Sequence, residues 1–419
     1  MDIIQAFLLG IAAGTFAGLM PGVPLLMGFM LFLPLVPIDA FSLTLYAMVM
    51  GLGTQFFGSQ AVLYYRVPGE SSSFPTLMEA HNFNTPEKIR EAVQVTTWGS
   101  LVAAVIATLA LTLALTTGML DWVRLPIEVK GTVFALLIIL CILSSKPYWT
   151  NTVALAIASF FAFYEDIAPL TDFLPTYYFN SMLSLIIIFA FQLVWQKPDE
   201  VTTEVIAGNK SNFDFKQWWP TYFKYGSIGT MFGIVPHLGS TLSSYAAYTW
   251  EKTRSGPMKR IAAAETTNNG AMVFHWLPLF LFGVPITGSE IMLVSTFDQF
   301  GLYFTFLKTQ AHWLMLLVLL SAFVYTYLCL ATNKVFYKTL GKLISNKLFS
   351  VSLAFVSLGL FYIIGGYSSD FMLIHLMVFV PVSWIVHKLQ VSMLAVTVGM
   401  LLMNQVLFTF YQLSQLYIY

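Results

Sequence analysis

Charge is scarce in this sequence. Of its 419 residues only 10% are charged while 58% are hydrophobic, and soluble domains carry about 25% charged residues. A water-facing globular surface cannot be built from that supply. Cysteine is almost absent, and Cys141 and Cys329 each lie inside a long apolar run, which argues against a disulfide framework or a thiolate metal site. Neither sign of charge is in excess, with 20 Lys+Arg against 20 Asp+Glu, so there is no basic surface for nucleic acid and no acidic tail for a charged partner. No basic stretch precedes the first apolar run, which opens at Ile3 directly after Met1-Asp2; it is expected to remain as a membrane helix and not to be cleaved. The His-Glu-x-x-His and Gly-x-Ser-x-Gly patterns are missing, and Ser240 with His275 is the one nucleophile and base pair that could be nominated for an intramembrane enzyme. The expectation is that the chain is not an enzyme and needs no resident metal or cofactor.

What the sequence does have is apolar length. Mean hydropathy is +0.76, and because a helical crossing takes about 20 apolar residues, the runs predict roughly ten to twelve crossings or half-crossings. The fold class implied is an all-α polytopic membrane protein. Apolar runs from Ile3 to Pro34, Phe41 to Tyr65, Val95 to Thr116, Val133 to Leu143, Val153 to Phe163 and Tyr177 to Trp195 fill the first half. A polar stretch follows, rich in Lys, Asp and Glu up to the Trp218-Trp219 pair. The chain is therefore divided into a first membrane repeat (1–196), an extramembrane linker (197–220) and a second membrane repeat (221–419). Lys252, Arg254, Lys259 and Arg260 form a basic loop that the positive-inside bias places in the cytoplasm. The many Trp and Tyr residues near the run ends read as interfacial belts.

Four of the runs are interrupted. Gly18-Leu19-Met20-Pro21 is echoed by Gly233-Ile234-Val235-Pro236, at an offset of 215 from Pro21 to Pro236. Val67-Pro68 is echoed by Val284-Pro285, at an offset of 217 between the prolines. Two breaks in the same order at nearly one offset point to duplication. Lipid cannot satisfy the backbone groups that a break sets free, so the breaks belong inside the protein or around a wet cavity. Paired Gly/Pro interruptions in the two halves mark the binding site of many carriers. A helix that begins in mid-membrane aims free N–H groups and the positive end of its dipole into the cavity, which suits a carboxylate. Taken alone, each Gly or Pro also fits a packing kink.

The residues around these breaks resemble the large membrane subunit of the tripartite tricarboxylate transporters. In the first half the resemblance lies in Gly18-Leu19-Met20-Pro21-Gly22, Leu33-Pro34-Leu35 and Val67-Pro68-Gly69-Glu70-Ser71-Ser72. In the second it lies in Gly233 to Gly239, Tyr248-Thr249-Trp250-Glu251-Lys252, Ala264-Glu265-Thr266-Thr267-Asn268-Asn269, Leu277-Pro278 and Gly283-Val284-Pro285 to Ser289. His237 after Pro236, and Ile286-Thr287 between Pro285 and Gly288, depart from the family's Pro-Gly breaks. The resemblance implies a multi-pass protein of the bacterial inner (cytoplasmic) membrane that imports a carboxylate, driven by a cation gradient. It also implies a small four-helix membrane subunit and a periplasmic substrate-binding protein as partners. The fold implied is two inverted repeats with re-entrant or broken helical hairpins and an elevator-like movement.

Expected substrate-binding residues are Pro21, Gly22, Ser71, Ser72, Gly239, Ser240, Asn268, Asn269, Gly288 and Ser289. The hydroxyls among them suit either a carboxylate or the capping of a restarted helix. Glu70, Glu265 and Glu290 would repel an anion unless protonated or bound to a cation, so they are the expected coupling groups for Na+ or H+. Glu265, Asn268 and Asn269 share a helix face by their spacing. An ionised carboxylate in mid-membrane costs about 2.5–3.5 kcal/mol and tends to be functional, although an interfacial position for Glu265 is the simpler alternative. The competing functions are an ion or solute channel, in which broken helices would form a filter, and a carrier of a non-carboxylate solute.

Overall fold

A computed structural model of the chain describes residues 2–20, 25–66, 71–117, 127–143, 146–167, 180–195, 213–236, 239–252, 254–331, 339, 346–364 and 366–418. The described residues are helical, with no strand among them. In the first half α1 (Asp2–Leu19) stops before the Pro21-Pro24 stretch and α2 (Leu25–Phe32) restarts beyond it. A long α3 (Ala40–Tyr65) follows, capped by Asp39, whose carboxylate accepts from Ser42 N at 2.8 Å. After the second break come a 3-10 turn (Ser71–Ser73), a short α4 (Phe74–Ala80) and α5 (Pro86–Thr116). α5 starts with Thr85 as cap, accepting from Lys88 N at 3.4 Å, and with Pro86 in the first turn. The half ends with α6 (Ile127–Leu143), α7 (Tyr148–Ile167) and α8 (Ser181–Trp195).

The second half runs through the same order. α9 (Phe215–Phe232) stops at the third break, and α10 (Gly239–Lys252) restarts beyond it. α11 (Pro257–Phe274) and α12 (Trp276–Phe282) follow, meeting at His275. The fourth break leads into α13 (Gly288–Phe300), and α14 (Leu307–Ala331) corresponds to α5. Then come α15 (Lys347–Ile364), α16 (Ser369–Lys388), α17 (Met393–Thr397), a π turn (Val398–Leu402) and α18 (Met403–Ile418). The basic loop expected from Lys252 to Arg260 is shorter than its charges imply. α11 already begins at Pro257, so Lys259 and Arg260 lie in its first turn.

Packing repeats along with order. α1 lies on α3, as α9 lies on α11, and each pair is brought close by glycines at matching positions. A Cβ at Gly14 would stand 2.7 Å from the carbonyl of Met50, and one at Gly18 2.9 Å from that of Thr54. In the second half a Cβ at Gly229 would run into the Thr267 carbonyl, and one at Gly233 would stand 2.8 Å from that of Ala271. Small residues allow this backbone approach in membranes, where close packing holds helices together and no hydrophobic force between them does. The halves then exchange partners, with α5 packing on α11 and α14 on α3. Tyr325 of α14 is 0% exposed and sets its hydroxyl 3.1 Å from the Gly10 carbonyl and 3.0 Å from that of Val49.

Among the described residues, five helices are long and apolar enough to cross a membrane: α1, α3, α5, the stretch Phe304–Ala331 containing α14, and α16. The bent pair at the C-terminal end raises this to six if it is one span. The helices beside the breaks, α2, α4, α10, α12 and α13, are each too short to cross alone.

Candidate functional site

α3, α4, α5, α10 and α11 converge on a buried polar seam at the centre of the exchanged packing. Their sequences explain why it stays dry on the outside and polar within. α3 is buried almost along its whole length, and the Glu265-to-Gly270 stretch of α11 is wholly buried although it is polar. Glu265, Asn268 and Asn269 are each 0% exposed, so Glu265 is not an interfacial carboxylate. Thr76 of α4 donates its hydroxyl to Glu265 Oε1, and Asn268 Nδ2 donates to Oε2 at 3.1 Å. Asn269 turns instead toward α5, with its Nδ2 2.9 Å from Ser100 Oγ, 2.8 Å from the Glu265 carbonyl and 2.7 Å from Asn268 Oδ1. The predicted common face of the three residues is present, but only Glu265 and Asn268 point toward the α4 side.

The turn at Ser71–Ser73 reaches across to the second half. Ser71 Oγ lies 2.9 Å from Thr241 Oγ1 of α10. Ser244 Oγ donates to the Ser72 carbonyl at 2.7 Å, and Ser72 Oγ donates to Gln55 Oε1 on α3 at 2.7 Å. Gln55 is 2% exposed, and among the described residues its Nε2 has no hydrogen-bond partner. Gly239 and Ser240 open α10 beside this contact, and a Cβ at Gly239 would meet the Phe232 carbonyl at 2.7 Å. Ser240 offers its carbonyl to Ser243 at 3.0 Å.

Gly288, Ser289 and Glu290 form a different arrangement. Thr287 and Glu290 make a reciprocal capping box at the start of α13. Glu290 Oε2 accepts from Ile286 N at 2.6 Å and from Thr287 N at 2.9 Å, and Oε1 lies 2.9 Å from His275 Nδ1. Ser289 Oγ is 3.2 Å from Thr287 Oγ1. A Cβ at Gly288 would stand 3.5 Å from Leu26 of α2, so this tip faces the other broken helix. Among the described residues no hydrogen bond joins it to the Ser71–Asn268 seam. Pro21, Gly22, Glu70 and His237 lie outside the described residues.

A matching scan covers residues 4–398 with the description "Tripartite tricarboxylate transporter TctA family". The chain belongs to the TctA family. With several helices long and apolar enough to cross a membrane, it is a multi-pass membrane protein of a transporter family. It is also 24% identical over 331 residues to an uncharacterized 52.8 kDa protein of Agrobacterium vitis, described by its position in the TAR-I ttuC' 3' region. That match takes in 72% of this chain and 64% of the relative, so the chain spans just under two thirds of that protein's length. No solved structure matches.

Sequence reading missed Gln55, Thr76, Ser100 and Ser244, which carry much of the seam. It also missed an ion cluster at one end of it. Glu79, 3% exposed, takes Arg260 Nη1 at 2.6 Å, Tyr248 Oη at 2.9 Å and Asn82 Nδ2 at 2.7 Å, tying α4 to α10 and α11. Glu251 beside it is hydrogen-bonded by Tyr225 and Ser255, with Lys259 at 3.7 Å and Lys224 at 3.8 Å. One signal was available, since a lone carboxylate in each of two short polar helices has to find a cation when buried.

Proposed function

We propose that this chain is the membrane carrier of a secondary active transporter for a small organic carboxylate, driven by a cation gradient, with the substrate held where the Ser71–Ser73 turn meets the start of α10. The observation that carries this is the Nε2 of Gln55, a buried donor unanswered among the described residues and set beside Ser72, whose carbonyl takes Ser244 of the second half. A buried donor without a partner costs about 1–3 kcal/mol, and a carboxylate oxygen entering beside Ser71, Ser72 and Gly239 would remove that cost. The free N–H groups at the start of α10 add a positive dipole end to the same place. Glu265 lies one layer deeper, bonded through Thr76 to the short helix that follows the serine turn, so its charge state is coupled to the position of that helix. In this mechanism Asn268 orients Glu265, and the α4–α11 contact opens and closes with substrate and cation.

Family membership supports a tricarboxylate or related carboxylate as substrate, a small membrane subunit and a periplasmic binding protein as partners, and residence in a bacterial inner membrane. The matched breaks and exchanged packing support two inverted repeats that move as an elevator, with the division at 1–196, 197–220 and 221–419. The test is counterflow in proteoliposomes. Proteoliposomes holding the full-length protein and unlabelled citrate or malate should take up the labelled compound in a saturable way, and net accumulation by substrate-free vesicles should collapse when the cation gradient is dissipated. Absence of saturable uptake for every di- and tricarboxylate tried would remove the proposal.

A further inference from the structure

Away from the polar seam, α7 and α8 of the first half and α16, α17 and the π turn of the second enclose an apolar cavity of about 160 Å³. α7 and α16 form its long walls and run in opposite directions. Trp149 and Leu389 stand at one end, and at the other Phe161 meets Phe379 edge to face, with ring centres 5.6 Å apart. Val153 and Ile157 on one wall, and Ile385 on the other, are exposed, so the cavity opens along the outside of the bundle. Its back is firm. A Cβ at Gly399 would stand 2.8 Å from the Leu155 carbonyl, so the π turn lies directly on α7 and sets Met400 against the space. The one hydroxyl in the lining, that of Thr150, donates to the Pro147 carbonyl at 2.7 Å. A cavity of this size with hydrocarbon walls stays dry and takes an apolar ligand.

The length of the walls and the charges at one end identify that ligand. From Trp149 to Phe161 the helix rises about 18 Å at about 1.5 Å per residue, and half the hydrocarbon core of a bilayer is about 15 Å deep. The cavity thus has the reach of one leaflet. Ser392 N donates to Asn151 Oδ1 at 3.0 Å, which sets the start of α7 and the end of α16 at the same level. Lys146 and Lys388 stand at that level, both exposed. Lys388 Nζ is 4.8 Å from the ring centre of Trp384, and Lys146 Nζ is 5.9 Å from that of Tyr148. Aromatic rings beside lysines at a helix end belong in the headgroup layer. Residues 146–161 and 379–400 contain no Asp or Glu, and among the described residues neither lysine takes part in an ion pair.

We propose that the cavity binds an anionic phospholipid, with one acyl chain lying between α7 and α16 and the phosphate of its headgroup held by Lys146 and Lys388. The apolar walls accept the chain of any lipid, and the two lysines select an anionic one, since basic side chains at the membrane surface attract anionic headgroups. The chain fills space between helices of both halves and lies against the π turn. On its other side that turn packs on the second tip, where Val398 and Leu402 share a buried cluster with Ile286 and Ile291. The bound lipid therefore braces the second tip from behind. This site needs only a membrane-spanning chain and does not rest on the carboxylate reading above.

The experiment uses the purified full chain in phosphatidylcholine nanodiscs that contain a small fraction of phosphatidylglycerol with a photoactivatable diazirine on its acyl chain. After illumination, peptide mapping should place the label on residues 148–161 and 379–391, several-fold above its level on α14. In native mass spectrometry of the detergent-solubilised chain, phosphatidylglycerol should be retained at least tenfold more tightly than phosphatidylcholine. Lys146→Gln combined with Lys388→Gln should abolish that preference. Ala154→Phe, which occupies the cavity, should lower labelling of the two walls at least fivefold. The lysine variant carries the test if Ala154→Phe does not fold, because both lysines are exposed. Label spread evenly over the outer helices, equal retention of the two lipids, an unchanged preference in the lysine variant, or undiminished labelling of folded Ala154→Phe would overturn the site. A dimer that retains no lipid and dissociates in Ala154→Phe would give the groove to a second copy of the chain and overturn it as well.

Discussion

At residues 286–290 the backbone closes on its own carboxylate, whereas at residues 71–73 the corresponding stretch reaches across to the other half of the chain. By the spacing of Pro68 and Pro285, Glu290 stands where the first half has Ser73. The free N–H groups of a restarted helix attract an anion in either place. In the second half the anion is built in: Glu290 takes the N–H groups of Ile286 and Thr287 and leans on His275. In the first half no internal carboxylate fills that role among the described residues, and the turn offers hydroxyls to α10 and to Gln55. Two breaks at matching places in the chain thus differ, one tip being occupied from within and the other having polar capacity to spare, and the carboxylate next to the latter, Glu265, is reached through Thr76.

If the first tip is the working one, the largest effect follows from Glu265. Glu265→Gln removes the charge but keeps the shape, leaving Thr76 and Asn268 without an ionised acceptor. Charge-assisted hydrogen bonds contribute about 1.5–3 kcal/mol, so uptake of labelled carboxylate per folded molecule is expected to fall roughly 10- to 100-fold. Unaltered gradient-driven uptake would mean that the coupling charge lies elsewhere. Glu290→Ala should act differently, lowering stability by about 2–3 kcal/mol because two buried N–H groups lose their acceptor. Uptake by the molecules that remain folded should stay within about threefold of wild type. Thermal unfolding and transport measured on one preparation separate the two outcomes. An uptake loss matching that of Glu265→Gln, with no loss of stability, would erase the contrast between the tips.

Much of this contrast could be read in the sequence, and its limits have physical causes. The four breaks show because Gly and Pro interrupt long apolar runs, and Glu265 with Asn268 stands out as polar residues on one helix face. Thr76, Ser100 and Gln55 do not stand out. Hydroxyl residues in apolar helices usually bond to the carbonyl one turn back, as Thr96 and Ser100 do here to Ala92 and Thr96, so their presence says nothing about a partner on another helix. The beginning of α11 was hidden for a related reason. Its first turns are basic and its middle is small and polar, a composition that imitates a loop running into a membrane edge. The closed state of the Glu290 tip was also unreadable, because a Thr-x-x-Glu capping box looks the same whether it faces water, lipid or a substrate.

A smaller effect sharpens the comparison at the substrate contact. Thr241→Val and Ser72→Ala each remove one hydroxyl from the contact between the first tip and α10, and each should raise KM about five- to tenfold with little change in kcat, as expected for lost uniform binding. Ser289→Ala at the second tip should leave KM unchanged. Equal KM shifts at both tips would show that both contact substrate.

The smallest predicted effect concerns what holds the halves in register. Tyr325 places its hydroxyl between the carbonyls of Gly10 and Val49, and it fits there because Gly14 and Gly53 leave room beside it. Both carbonyls already serve helical N–H groups, so Tyr325→Phe leaves no backbone group wholly unanswered. The cost should be near that of a single neutral hydrogen bond, about 0.5–1.5 kcal/mol, with uptake unaffected. If α14 instead slides on α1 and α3 during transport, the hydroxyl must break and remake these bonds in each cycle, and Tyr325→Phe would change turnover while sparing substrate affinity. A turnover change without a KM change would therefore place the moving boundary at α14 and not at the tips.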